Sequence, residues 1–101
     1  MEVPLDITGS TTVVVTPNHL SSRLGEETVI LQMDDGVYFG LDEIGSRIWS
    51  LVQEARDVHG ICTALTVEYD VTAADCEAAV IGLLRELRDA GLLRVLDGPT
   101  S

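Results

Sequence analysis

A chain of 101 residues holds apolar surface for one core and no more. Its 17 Asp and Glu stand against 6 basic residues, all Arg, for a formal charge of -11, a field that repels phosphate backbones and puts nucleic-acid binding at a disadvantage. The opening MEVPLDITGS has no basic region leading into an apolar run, and no later apolar stretch approaches the roughly 20 residues a membrane span needs, so a soluble cytoplasmic protein is expected.

Residues 1–10 read as a tail. TVVVT, residues 12–16, is β-branched throughout and is stopped by Pro17, which predicts a first strand. LSSRLGEE reads as a polar connection. TVILQM, 28–33, and VYFGL, 37–41, flank the turn signal Asp34-Asp35-Gly36 and predict a hairpin. A sheet ordered one, two, three would leave 37–41 as an edge.

At Asp42 the apolar period changes from two to that of a helix. Asp42 is a good N-cap, and Ile44, Ile48, Trp49, Leu51 and Val52 recur at helical spacing, so a helix is predicted from 43 to about 55. Asp57 caps a second, marked by Val58, Ile61, Cys62, Leu65 and Val67 and running to about Tyr69. Thr72 caps a third over 73–90, Gly91 ends it, and LLRVL returns to extended structure before the tail 97–101. The fold class is α+β, winged-helix-like: a three-stranded antiparallel sheet followed by three helices, with one domain over 11–96.

Few residues suggest chemistry. There is no GxSxG, HExxH or Gly-rich phosphate loop, and the carboxylates spread over every segment. His19 and His59 read as solvated surface residues, and Cys62 and Cys76 as buried thiols rather than a metal pair. No catalytic residue, cofactor or metal is expected. A winged-helix transcription regulator is the alternative reading, but the third helix sets Asp75, Glu77, Glu86 and Asp89 against Arg85 and Arg88, a poor surface for reading DNA.

Two features point to binding instead. The strand 37–41 carries no Lys, Pro or bulge signal to defend an open edge, which invites an added strand. On the third helix Cys76, Val80, Leu83, Leu84 and Leu87 form a core stripe, and Ile81 stands at its margin beside Glu77 and Arg88.

DDGVYFGLDEIGSRIWSLV, the EYDV break and VTAADCEAAVIGLLRELRDAGLL together resemble the PqqD family of peptide chaperones, the RiPP recognition elements. The resemblance covers roughly 12–95 and is greatest to the stand-alone leader-binding proteins of lasso-peptide biosynthesis. It implies a domain that binds the leader of a ribosomally made precursor as an added strand and hands it to a partner cysteine protease or other modifying enzyme. Carried onto this sequence, Val37, Tyr38, Phe39, Gly40 and Leu41 form the strand edge. Cys76, Glu77, Val80, Ile81, Leu84 and Arg88 form the helix wall. No nucleic-acid or membrane partner is implied.

Overall fold

The structure, a computed structural model, describes residues 7–96. The chain runs β1 (Thr12–Val15), β2 (His19–Leu24), β3 (Glu27–Gln32), β4 (Val37–Leu41), α1 (Glu43–Leu51), β5 (Arg56–Asp57), α2 (Val58–Glu68), α3 (Ala73–Asp89) and β6 (Leu93–Leu96). The three helices begin on the expected caps: Asp42, Asp57 and Thr72 accept from Gly45, Gly60 and Asp75. The first helix ends four residues earlier than expected. Replacing Thr72 with Ala removes the bond to the Asp75 amide and should cost about 1 kcal/mol, read as a drop of roughly 5 °C in melting temperature by circular dichroism.

The sheet differs from expectation in its membership. The polar connection is a strand: β2 pairs antiparallel with β3 in the register Leu24↔Glu27 through His19↔Gln32, and β3 pairs with β4. Gly25 has φ +65° and is followed by Glu26, which does not, so the two-residue turn needs its glycine first, as in a type II′ hairpin. The first strand leaves this sheet altogether. It lies between β5 and β6 in a second antiparallel sheet, with Val13↔Val95 and Val15↔Leu93.

The residues from Ile7 onward are also no tail, because Ile7 is only 1% exposed and the Gly9 carbonyl accepts from the His59 amide. Residues 1–6 and 97–101 fall outside those described.

The core sits between the helices and the inner faces of both sheets, with Val13, Ile30, Ile48, Trp49, Ile61, Leu84 and Leu87 buried together. His19 belongs to it in part, contrary to expectation: its ring meets Trp49 edge-on at 4.9 Å. At the end of α3, Leu92 donates to the Leu87 carbonyl and Gly91, at φ +80°, to that of Arg88, a Schellman close that Thr16 ties to β1 through its bond to Gly91. Both cysteines are free. Burial, with Cys76 adjoining, pushes the Cys62 thiol up to about 11. Iodoacetamide at pH 8 should therefore alkylate Cys62 at least about tenfold more slowly than free cysteine, as followed by mass spectrometry.

Candidate functional site

In the order β2-β3-β4, strand β4 is an edge, so the expected open strand is present although its sheet is built differently. Period-two alternation divides its side chains. Leu41 is buried and Phe39 half-buried against the core, and with Val37 they point inward. Tyr38 and Gly40 point to the other face, and Tyr38 is 68% exposed.

A cleft runs beside this strand. At its middle, Gly40, Leu41 and Asp42 face Ala79 and Leu83 of α3 and Ile44 and Ile48 of α1 across a depression of about 470 Å³. Ile44, Ile48 and Ala79 also open into an apolar cavity of about 220 Å³, completed by Leu65, Tyr69, Val71, Cys76 and Val80. At the other end Val37, Phe39 and Ala90 make an apolar floor beneath Asp35, Glu86 and Asp89. The cleft is therefore apolar near the start of α3 and acidic near its end.

Local structure holds each wall in place. The Asp42 cap starts α1 one residue after β4 and brings Ile44 over the cleft. Arg47 of α1 forks onto Glu68 of α2, with Nε donating to Oε1 at 2.8 Å and Nη2 to Oε2 at 2.7 Å, and Tyr69 donates to Glu43. These links fix the two helices that shape the apolar cavity. The hydrogen-bonded Arg47 guanidinium holds the Glu68 carboxyl below the usual carboxylate range, so the pair persists through that range and is lost only as pH falls further, through the lowered value. At the acidic end, Gln32 is buried and its Oε1 accepts from the Asp35 amide at 2.9 Å, setting the turn above Val37. Arg88 lies 3.3 Å from Asp89 and offsets part of the charge there.

The helix wall differs from the residues that the resemblance implied. Cys76, Val80 and Leu84 are at most 5% exposed and belong to the core, although Cys76 and Val80 also close the floor of the apolar cavity. Ala79, Leu83, Glu86 and Ala90 line the cleft, a stripe at spacings of four, three and four. Glu77, Ile81 and Arg88 occupy the opposite flank of α3, roughly 150–170° round the helix from that stripe. Glu77 there faces Cys62 of α2, and Ile81 packs against the core. The physical reason is that α3 has two margins beside its core stripe, and β4 runs along the one bearing Leu83. On the strand, Val37, Phe39 and Leu41 offer side chains to this region, while Tyr38 and Gly40 offer backbone alone. Ile44, Ala79, Leu83 and Glu86 were not anticipated as site residues. Ile44 and Leu83 were visible in the sequence only as members of apolar stripes.

Among the described residues no group of three or more His, Cys, Asp or Glu could hold a metal ion, and no helix is long and apolar enough to cross a membrane. The arrangement is an open strand edge beside a trough that is apolar at one end and carries Asp35, Glu86 and Asp89 at the other.

Comparison with known proteins agrees with that geometry. No curated protein matches the chain. A solved structure described as TbiB1 in complex with the TbiA(beta) leader peptide is 34% identical, aligns over 87% of this chain and 99% of its own, and superposes with a TM-score of 0.74. A second, a lasso peptide synthetase B1 complexed with the leader peptide, is 21% identical over 81% of this chain and 96% of its own, with a TM-score of 0.72, and shares the fold. The family model for coenzyme PQQ synthesis protein D matches residues 27–93, which take in β3, β4, all three helices and the cleft between them. The chain is a member of the PqqD family and a PqqD-like RiPP recognition element.

Proposed function

We propose that this chain binds the leader segment of a ribosomally synthesised precursor as a strand added antiparallel to β4, and delivers it to a separate processing enzyme, a lasso-peptide leader protease. The observation that carries this reading is the open β4 edge beside a cleft whose apolar part is walled by Ile44, Ala79 and Leu83. Main-chain pairing supplies affinity without reading sequence, and alternate leader side chains enter the cleft and are read there. The 34% identical neighbour in complex with a leader peptide supports the same ligand class.

The energetics suit a carrier. Two or three apolar anchors at about 2 kcal/mol each, with several main-chain hydrogen bonds at about 1 kcal/mol each, work against an association cost of about 4–15 kcal/mol. Micromolar or somewhat tighter binding results, enough to collect a precursor and still release it. The protein contributes binding and placement, and the bond-breaking chemistry belongs to its partner. The transcription-regulator alternative has the winged-helix arrangement in its favour and the acidic exposed face of α3 against it.

The test is a titration with a fluorescent leader peptide carrying single N-methylated amides walked along its length. Strand addition predicts that alternate positions cost about fivefold or more in affinity while those between cost little, because only every second amide of an added strand points at β4. A uniform response would remove the strand-addition reading. For a leader rich in Lys or Arg, raising salt from about 50 to 500 mM should slow association several-fold while changing dissociation little, as seen by stopped-flow fluorescence.

A further inference from the structure

The register of the β2-β3-β4 sheet decides which groups of β4 are free to receive a chain. The two-residue turn Gly25-Glu26 is closed by Leu24↔Glu27, a pair that exchanges both main-chain bonds. Alternation then turns the main-chain groups of Thr28, Ile30 and Gln32 toward β4, where they meet Leu41, Phe39 and Val37. The amides and carbonyls left at the open edge are those of Tyr38 and Gly40. An antiparallel peptide therefore bonds to these two residues, and its successive positions lie opposite Leu41 through Val37 in that order. The first, third and fifth of them turn their side chains into the cleft.

The walls that those positions meet are different. The first faces Ile44, Ala79 and Leu83. The fifth lies over a recess of about 450 Å³ with an apolar floor, Val37, Phe39 and Ala90, and carboxylates at its rim. The helix keeps pace with the strand, since Leu83 to Ala90 rises about 10 Å along α3 while Leu41 to Val37 spans about 13 Å of β4. Arg88 bonds Asp89, and Arg85 stands one turn before it, so the charge facing the recess falls mainly to Glu86 on the cleft stripe and Asp35 on the turn before β4.

A side chain that suits both parts of the recess has an apolar stem and a cationic head. Lys or Arg lays its methylenes on Val37, Phe39 and Ala90 and brings its charge among the carboxylates. An apolar side chain would cover the floor and strip water from the rim without pairing it, and Asp or Glu would be repelled. We infer that the cleft reads charge and chain direction together, taking an apolar leader residue opposite Leu41 and a Lys or Arg four residues nearer the leader's C-terminus, opposite Val37. The inference rests on the leader-binding reading and adds a charge-selective end to it.

The experiment titrates a fluorescent leader peptide, and variants of it with Glu in place of each Lys or Arg in turn, against the wild-type chain, Glu86→Lys and Glu54→Lys. The last makes the same change of charge at an exposed residue outside the cleft, and circular dichroism checks that each variant folds. One Glu replacement, four residues beyond an apolar anchor, should weaken binding to the wild-type chain at least about tenfold, chiefly by faster dissociation, because attraction gives way to repulsion. The other replacements should stay within about threefold. Glu86→Lys should lose a similar factor for the unaltered leader and recover most of it for that one variant, while Glu54→Lys stays within about twofold for both. Diffuse attraction to a chain of charge -11 does not produce recovery at a single position. Equal losses at every basic position, no recovery with Glu86→Lys, or a sensitive residue on the N-terminal side of the apolar anchor overturn the inference and leave leader binding in place. So does a leader that binds with no Lys or Arg at that position. A folded wild-type chain that binds no leader overturns the leader reading itself, and this inference with it.

Discussion

Leu83→Glu should reduce leader affinity at least about 30-fold while the chain stays folded. Leu83 is half-buried on the cleft wall opposite Gly40 and Leu41, so the substitution removes an apolar contact worth about 2 kcal/mol with a bound peptide, which is close to that factor in affinity. The new carboxylate would also lose water once the peptide covers it, and Glu86, one turn on, would oppose its charge. Anisotropy titration beside a circular-dichroism melt separates affinity from folding. Unchanged affinity in a folded variant would place the peptide away from this cleft.

Its neighbour should behave in the opposite way. Leu84 has no exposed surface and packs with Val80, Leu87, Ile61 and Trp49, so Leu84→Ala removes three heavy atoms from a filled core and should cost about 3 kcal/mol, or roughly 15 °C in melting temperature. Leader affinity measured well below the melt should change little. A large affinity loss without a stability loss would put Leu84 on the peptide surface instead. One step along α3 should thus divide recognition from folding.

That division marks where the sequence became hard to read. The helices were legible because caps and apolar periods are local signals: Asp42, Asp57 and Thr72 announce their starts, and the stripe through Cys76, Val80, Leu84 and Leu87 gives the buried side of α3. Which margin of that stripe faces β4 is not local, since a helical wheel is symmetric about its core line until a neighbouring strand breaks the tie. Ile81 drew attention as an apolar residue among charges, yet Leu83 is the one beside the strand. Tyr38 could have been placed from the sequence, because a buried Leu41 fixes Phe39 and Val37 on its own face and sends Tyr38 to the other.

The missing strand has a different explanation. HLSSRL has one side chain that enters the core, His19 against Trp49, and five exposed positions, so neither composition nor alternation marks it. Its remaining signal was the Gly25-Glu26 pair, a two-residue hairpin turn between runs that can pair. The pairing of β1 with β6 spans about 80 residues of chain and rests on shape complementarity that no window of sequence contains.

The same long-range pairing bears on how this domain can be built into larger proteins. Thr12 is the register partner of Leu96, so the first and last strands lie side by side, on a sheet that contributes no strand to the β4 edge, and only the five residues Ile7 to Thr11 precede that pair in the described fold. A host chain could therefore break at a surface loop, detour through residues 7–96 and resume its course with short joints at each side. An insertion of the domain at such a loop should therefore fold and leave the β4 edge uncovered, since β1 and β6 belong to the other sheet.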